Sequence, residues 1–565
     1  MSSYPQLNDR TRGWLRFLWR KSTTADDWSM GSEPHPWWDR YSSPPMLNFP
    51  RFDLSESTYA IALMADATPA WREVYTQILD ELIERHTTFW AAVDWLTFIG
   101  NDPNRDKYPE AYRGNLVPAH LWGNYDAPGW TANGVEPWGL DPDPIGAQGN
   151  LFFRGFLNLM LGFRGYVSND GKWHEPWHMT GLENEQFEWT HPCVANHLTD
   201  QMSARPEGVH CENTKIWPFC MTAAGLGLYM FDALYNQGSQ WAFHEWIEYA
   251  KKNYMTITGD GRLETMALYY DPLIDHVHDG GPGGGMGVAW YMLPQNRQLA
   301  ELLYTAAVET LGWNDPSKPV AGQGRSLSMG LVMAQEMGDQ ITEVRLRDAV
   351  ESRCEPRFFG TDEEHFGWWF QLGEDWPRGQ LSAYTMLAEI GTEGSWWRLF
   401  NEPNLSKFEE PEVQGVDYPV LGISQAWNDL EHGLLKIETY AATKSRRGDK
   451  TSFRVERVPD PEAVFIRLDG EPYFDWRRNP DGAIEIDTDV GRHSFQVHTG
   501  YRDPDARRRS EAARHAGLLS DDRTARTART ASISAGGGAA AGAIQQAAAR
   551  VAAGGSTCPC CSAAS

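Results

Sequence analysis

Long apolar runs are missing from this chain of 565 residues. No stretch reaches the roughly 18 consecutive apolar residues that a transmembrane helix needs. The N-terminus also lacks the order of a secretory signal, in which a basic segment, an apolar segment and small residues follow one another. We therefore predict a cytoplasmic protein without stable membrane insertion.

Positive charge is in short supply. The sequence has 50 lysines and arginines against 76 acidic residues, which gives a formal net charge of −26. Such a surface repels the phosphates of nucleic acids and of anionic membranes. We predict no nucleic-acid partner and a small neutral or cationic ligand instead.

Cysteine is also scarce, whereas aromatic residues are abundant. Only seven cysteines are present, and three of them crowd together at the C-terminus. This is not the framework of a disulfide-stabilised secreted protein, and it favours a reducing compartment. The 26 tryptophans, 21 tyrosines and 23 phenylalanines suit either a deep apolar cavity or platforms that stack on sugars.

Apolar residues recur at helical spacing through the middle of the chain. They predict roughly ten to twelve helices in consecutive pairs, and antiparallel hairpins of this number typically close into an α/α toroid. The fold class is therefore mainly α. The predicted helices cover residues 52–65, 70–86, 150–164, 217–236, 239–254, 288–293, 298–311, 326–337, 341–352 and 378–389.

The remaining segments complete the predicted organisation. Proline and tryptophan near the N-terminus indicate an extended arm, and the stretches 101–149 and 165–209 have a loop-like composition. From Gly433 the apolar period changes to two, which predicts a small antiparallel sheet. The domains are predicted as an arm (1–50), a helical catalytic domain (51–430), a β appendage (431–500) and a disordered Arg/Ala/Gly-rich tail (501–565).

The most informative motif is HCENTKIWPFC, which contains Cys211 and Cys220 at the start of an apolar helix. The gap is too long for a thioredoxin-type pair, and no second Cys/His pair of zinc-finger spacing follows. Two thiols brought together can exchange protons, one acting as an acid and the other as a base. The alternative is that both are small buried apolar residues.

A metal site has weaker support. His276 and His278 form an HxH pair, and Asp275 and Asp279 flank it, but no third histidine follows at a motif spacing. The glycine-rich segment after it lacks the Lys-Ser/Thr ending of a phosphate-binding loop. We predict no metal site.

Four segments together resemble the bacterial linalool dehydratase-isomerase family. They are DPI at Asp143, the helix NLFFRGFLNLMLG, CENTKIWPFC, and AQEMGD in residues 334–339. The resemblance implies an (α/α)6 toroid and a cofactor-free enzyme that interconverts tertiary allylic alcohols with dienes and with primary allylic isomers. It also implies that Cys211 and Cys220 are the catalytic acid and base.

Some positions depart from the family pattern. The family's histidine on the inner helix is replaced by Phe156, so His210, His191 and His197 become candidates for its role. The family also uses an aspartate and a tyrosine near the N-terminus, which Asp39 and Tyr41 match most nearly. In some members these come from another subunit, so a homo-oligomer is one of the expected states.

The chemistry adds candidates for substrate binding. Loss of water from a tertiary allylic alcohol needs an acid at the hydroxyl, a base at a neighbouring carbon, and a cavity that tolerates cationic character. Aromatic faces supply the last of these. The candidate substrate-binding residues are Phe156, Trp217 and Phe219, together with Tyr270, which matches a cavity tyrosine of the family. The expected substrate is a small apolar alcohol or alkene.

Two other classes of function remain open. A carbohydrate-active enzyme would use paired carboxylates facing a cavity. The candidate pairs are Glu183 with Glu185, Glu363 with Glu364, and Glu374 with Asp375. A non-enzymatic binding protein for an apolar ligand fits the same fold class.

Overall fold

The computed structural model describes residues 4–25, 38, 50–88, 135–136, 139–140, 142–181, 185–211, 215–272, 275–322, 325–370 and 375–503. The chain divides into two compact units. One unit comprises Leu7–Ala67 with Arg72–Leu405, and the other comprises Met1–Gln6, Thr68–Trp71 and Ser406–Ser565. Helices predominate in the first unit and strands in the second.

The predicted helices are confirmed within the helical unit. In its described residues the helices are α1 (Asp9–Thr23), α2 (Pro50–Ala67), α3 (Glu73–His86), α4 (Leu151–Val167), α5 (His191–Ala204), α6 (Pro218–Tyr235), α7 (Trp241–Asn253), α8 (Met286–Met292), α9 (Arg297–Leu311), α10 (Arg325–Met337), α11 (Gln340–Arg353), α12 (Gly379–Ile390) and α13 (Ser395–Asn401). No helix within these ranges is long and apolar enough to cross a membrane.

Six of these helices pack in succession. Helix α2 contacts α4, and the chain of contacts continues through α6, α8, α10 and α12, which packs against α2 again. Helices α4 and α6 run parallel, because a Cβ at Gly155 would lie 2.7 Å from Ala224 and one at Gly162 would lie 2.8 Å from Met230. Parallel packing brings the N-terminal ends of the two helices to the same end of the pair.

The prediction of an extended arm over residues 1–50 is wrong for Asp9–Thr23, which forms helix α1. The Asn8 side chain caps this helix by accepting a hydrogen bond of 2.9 Å from the Thr11 N–H. The apolar face is buried, and Lys21 pairs with buried Asp53 of α2. The Asn8 cap and the buried apolar face stabilise a helix here, and the proline-rich sequence begins only after the helix ends.

The stretch 165–209, predicted to be irregular, contains regular structure. Strands β3 (Trp177–Thr180) and β4 (Gln186–Trp189) pair antiparallel, and α5 follows. The Thr190 side chain caps α5 by accepting from the Cys193 N–H at 3.2 Å. The remaining strands of the helical unit are short and pair antiparallel: β1 (Val135–Glu136), β2 (Gly139–Leu140), β5 (Met255–Ile257), β6 (Leu263–Asp271), β7 (His276–Asp279), β8 (Arg357–Phe359) and β9 (His365–Gly367).

The second unit contains two antiparallel sheets. Its strands are β10 (Glu412–Gln414), β11 (Leu421–Asp429), β12 (Leu434–Ala441), β13 (Lys450–Glu456), β14 (Phe465–Leu468), β15 (Glu471–Tyr473), β16 (Trp476–Arg478), β17 (Ile484–Asp489) and β18 (Ser494–His498). The sheet orders are β10-β13-β17-β16 and β11-β12-β18-β14-β15. Phe453 and Phe495 join the two sheets, with ring centroids 5.4 Å apart. Strand β11 begins before the predicted change of period, because it is buried on both faces and so shows no alternation.

Candidate active site

Cys211 lies at the N-terminal end of α4. The Phe152 N–H donates to its Sγ at 3.3 Å, and the Leu151 N–H donates to the carbonyl of His210 at 3.1 Å. These are amide groups that the first turn of a helix leaves without an intrahelical acceptor. His210 and Cys211 therefore provide acceptors for two N–H groups in the first turn of α4. Cys211 is 0% exposed.

The segment between the two cysteines is fixed by a buried ion pair. The Cys211 N–H donates to the Lys215 carbonyl at 2.7 Å, and the Lys215 ammonium lies 3.1 Å from an Asp271 carboxylate oxygen. Both charged side chains are 1% exposed. The next residue, Ile216, exchanges two backbone hydrogen bonds with Tyr270, of 2.8 and 2.9 Å. Strand β6 thus holds the residues that directly precede helix α6.

Cys220 lies in the first turn of α6, directly behind the helix start at Pro218. Because α4 and α6 run parallel, the structure brings both cysteines to the same end of this helix pair. Both carry thiols rather than disulfides, and both are buried. The electrostatic field of Cys220 reaches Arg325 at the start of α10.

Aromatic side chains fill the space around this end. Phe156 is fully buried, and its ring centroid lies 5.7 Å from Phe52, 6.2 Å from Phe219 and 6.1 Å from Tyr291. Phe219, the neighbour of Cys220, also meets Tyr291 at 5.2 Å. Two predicted substrate-binding residues, Phe156 and Phe219, are therefore in contact with one another.

A buried polar network, absent from the predictions, borders this aromatic cluster. The Tyr384 hydroxyl donates to Glu56 Oε1 at 2.8 Å and lies 3.2 Å from the Tyr291 hydroxyl, which is 2.9 Å from that of Tyr59. Burial raises the pKa of Glu56 to about 7, against the opposing effects of Arg325, Gln380 and Tyr384. Burial likewise raises the pKa of the three tyrosines well above the ordinary value. A carboxyl group that is half protonated near neutral pH can donate or accept a proton.

Arg325 is the cation of this network. Its guanidinium carbon lies 5.0 Å from the Phe219 ring centroid and 6.0 Å from that of Phe52. Burial lowers the pKa of Arg325, but the negative charges of Glu56, Tyr384, Tyr291 and Cys220 outweigh burial and raise it. The Arg325 side chain is half-buried, and its Nη1 atom is buried.

A sequence signal for Glu56 does exist. Helix α2 carries a run of polar residues, Asp53, Ser55, Glu56, Ser57 and Thr58, and each of them is at most 1% exposed. Polar residues within an inner helix indicate a functional interior rather than a solvated face.

Several predicted residues lie elsewhere. Trp217 caps the start of α6 and packs on Tyr269, with ring centroids 5.0 Å apart. Tyr270 points to Tyr254 at 5.8 Å, and its hydroxyl donates to Asp275 at 3.0 Å. Asp39 and Tyr41 lie outside the described residues.

The candidate histidines are buried, and burial lowers their pKa. The pKa of His210 falls to about 4, with Arg205 and Arg154 adding to the effect of burial. For His191 and His197 it falls to about 3. His191 packs against Phe231 with ring centroids 4.9 Å apart, and His197 packs against Trp189 at 5.6 Å. His210 is the one of the three that adjoins Cys211.

The alternative sites are dispersed. His276 and His278 lie on β7, whose four residues are exposed, and the described residues hold no group of three or more metal-ligating side chains. Glu185, Glu363 and Asp375 are exposed, and Glu364 lies 3.6 Å from Arg16. Glu183 and Glu374 lie outside the described residues. Among the described carboxylates of these pairs, none belongs to the buried network.

Comparison with known proteins identifies the region that carries both thiols. Residues 120–363 match the family model of linalool dehydratase/isomerase. The matched region is therefore similar to linalool dehydratase/isomerase, although it is less than half of the chain. The match includes Cys211, Cys220, Phe156 and Arg325, whereas Glu56 lies before it.

Among solved structures, the chain is similar to a GH127 β-L-arabinofuranosidase from Geobacillus stearothermophilus T6. The identity is 8%, the alignment covers 86% of this chain and 75% of that chain, and the TM-score is 0.21. At this TM-score the likeness carries no argument about fold or activity.

Proposed function

We propose that this protein removes water from tertiary allylic alcohols to form dienes, or moves the hydroxyl to give the isomeric primary alcohol, by thiol acid/base catalysis. One observation carries the proposal: two buried thiols, Cys211 and Cys220, lie at the N-terminal ends of the parallel helices α4 and α6. The similarity of residues 120–363 to linalool dehydratase/isomerase supports the reaction class.

The surroundings of the thiols suit this chemistry. When the C–O bond breaks, positive charge develops on the allylic carbons, and aromatic faces stabilise such charge. Phe156, Phe219 and Phe52 provide these faces at the same end of the helices. A buried apolar site also limits water, which decides between deprotonation to a diene and recapture as an isomeric alcohol.

The fold proposal follows from the helix contacts. Six helices contact one another in a closed ring, in the order α2, α4, α6, α8, α10, α12 and again α2. This ring supports an (α/α)6 toroid in which these six helices are the inner ones. The helical unit is then the catalytic domain that the sequence predicts for residues 51–430. The proposed substrate remains a small apolar alcohol, and no cofactor takes part in the proposed reaction.

Turnover of alcohols by the reduced protein tests the proposal. Purified protein is incubated with linalool and with shorter tertiary alkenols, and dienes and isomeric alcohols are measured by gas chromatography. We expect product from at least one alcohol. Cys211→Ser and Cys220→Ser should each lower the rate by about 10²-fold or more, the usual contribution of a proton-transferring group. A serine hydroxyl is a far weaker acid than a thiol, although its size is similar.

Cys354→Ser is the matched control. Cys354 is buried like the other two, but it ends helix α11, and burial raises its pKa to about 12. This variant should retain the rate of the wild type. The proposal is wrong if the wild-type protein converts none of the alcohols. It is also wrong if Cys211→Ser and Cys220→Ser turn over alcohols at the same rate as Cys354→Ser. Hydrolysis of glycosides by the same preparations would favour the carbohydrate-active alternative.

A further inference from the structure

Two buried polar atoms in the network meet no hydrogen-bond partner among the described residues. They are Oε2 of Glu56 and Nη1 of Arg325. Gln380 is the further polar neighbour of this carboxyl group; its influence lowers the pKa of Glu56, but its Nε2 lies outside hydrogen-bond geometry with the carboxyl oxygens. Each residue is the strongest charged partner of the other, yet they form no ion pair in the described part of the chain. A buried carboxyl oxygen and a buried guanidinium N–H that remain unpaired in this way are costly unless something else bonds them. The hydroxyl group of a bound substrate could supply these hydrogen bonds.

The carboxyl group is held in a fixed orientation. Tyr384 bonds its first oxygen at 2.8 Å, and Tyr291 and Tyr59 extend the network behind Tyr384. Glu56 follows Phe52 by one helical turn on α2, and the Phe52 ring lies 5.8 Å from Phe152 and 5.7 Å from Phe156. The free oxygen therefore belongs to the same end of the helices as the two thiols.

We infer that the Glu56 carboxyl, oriented by Tyr384 and facing Arg325, binds the hydroxyl of the substrate and protonates it as the C–O bond breaks. This inference rests on the proposed function but assigns the oxygen-side proton to Glu56 instead of to a thiol. Under the inference Cys220 remains the base, and Cys220→Ser should lower the rate more than Cys211→Ser does. It also assigns a substitute for the histidine that the family resemblance expects at Phe156.

The step balances without a co-reactant. The proton of the carboxylic acid moves to the hydroxyl oxygen, the C–O bond breaks, and water leaves. A thiolate at Cys220 takes a proton from the neighbouring carbon, and the electron pair of that C–H bond forms the new double bond. The thiol then returns its proton to the Glu56 carboxylate. One negative charge thus moves between Cys220 and Glu56, and Arg325 compensates it in both positions.

The charged neighbours of Glu56 determine the expected pH dependence. The groups that face it or act on it are Asp53 and Tyr59 on its own helix, Arg325 on α10, Gln380 and Tyr384 on α12, and Tyr291 on α8. Asp53 is paired with Lys21. Because the acid form of Glu56, whose pKa is about 7, and the thiolate of Cys220 are required together, turnover should pass through a maximum and then fall at higher pH.

Glu56→Gln tests the inference. Glutamine keeps the shape and can still accept from Tyr384, but it cannot release a proton at this pH. We expect kcat to fall by about 10²–10⁴-fold, the usual contribution of general acid catalysis. The residual activity should lose the decline at higher pH. Glu336→Gln is the control, because Glu336 is also buried with a pKa raised by burial to about 7, yet its carboxylate bonds Ser395 and the Trp396 amide. It should retain the rate.

Binding separates this inference from the proposed function. We would measure the affinity of each variant for linalool and for the hydrocarbon that lacks its hydroxyl group, and check folding by circular dichroism. The wild type should prefer the alcohol, and Glu56→Gln should lose most of that preference. If the wild type dehydrates alcohols and Glu56→Gln matches Glu336→Gln in rate, the inference is wrong while the function stands. If the wild type converts no alcohol, the function fails. In that case the inference also fails if Glu56→Gln prefers linalool over the hydrocarbon as strongly as the wild type does.

Discussion

The buried pair of Lys215 and Asp271 makes a prediction that is specific to the cysteine segment. Lys215→Met keeps the length of the side chain and removes its charge, so the Asp271 carboxylate stays buried without its ammonium partner. Removing one member of a buried ion pair costs about 3–5 kcal/mol. We expect the free energy of unfolding of the helical unit to fall by that amount. Turnover should fall too, because an unpaired Asp271 carboxylate disturbs the backbone at residue 215, whose carbonyl accepts from the Cys211 N–H at 2.7 Å.

A second variant separates the charge from the packing. The double variant Lys215→Met/Asp271→Leu removes both charges and should recover most of the stability, because a well-packed apolar pair is about as stable as a buried ion pair. Lys251→Met is the control for removal of a lysine. Its partner Glu248 lies 2.7 Å away, and the side chains are 35% and 73% exposed, so the loss should stay below about 1 kcal/mol.

Urea denaturation followed by circular dichroism and tryptophan fluorescence provides the assay. Because the chain has two units, the transition that belongs to the helical unit must be fitted separately. The reasoning fails if Lys215→Met shifts that transition no more than Lys251→Met does. It fails equally if the double variant is as unstable as the sum of its two single variants.

Two further predictions concern the buried aromatic and imidazole groups. Burial lowers the pKa of His191 from 6.5 to about 3. Its stabilising contribution is therefore complete above about pH 6.5 and is lost as the pH falls towards 3, so His191→Phe should flatten the acid side of a plot of melting temperature against pH. Phe156→His buries an imidazole among Phe52 and Phe219 and should lower the free energy of unfolding by about 1–3 kcal/mol, without raising turnover. A higher rate than that of Phe156→Leu would contradict the assignment of the hydroxyl site to Glu56.

Local patterns predicted most of the helices and several strands. The apolar spacing in 150–164 and 217–236 was sufficient because these helices are buried on nearly every side. Helix α1 was missed because its signal, the Asn8 cap and a buried face against Asp53, lies next to proline-rich sequence and depends on a partner from another helix. Strand β11 was missed because burial on both faces removes the alternation on which strand prediction depends.

The candidate site also combines residues that local patterns predict with residues that depend on tertiary contacts. Cys211 and Cys220 were recognised because their spacing and the helix that follows are local properties, and the parallel packing of α4 and α6 then brings them to one end. Residue type and position predict Trp217 and Tyr270 as substrate-binding residues. The direction of their side chains, however, is set by the backbone pairing of Ile216 with Tyr270, which the sequence does not show. Trp217 therefore packs on Tyr269 of β6, and Tyr270, on the same strand, packs on Tyr254.

By itself the sequence determined the elements that depend on neighbouring residues: the amphipathic and fully apolar helices, the alternating strands, and two thiols at the mouth of a buried helix. The tertiary structure alone decided that Tyr384 donates a hydrogen bond to Glu56, 328 residues away, and that the charge of Arg325 acts on Glu56 and is influenced by Cys220. The physical reason is that the pKa of a buried acid and the pairing of a buried cation depend on desolvation and on charges from distant segments. Neither the pKa of a buried acid nor the pairing of a buried cation produces a periodic pattern in the sequence.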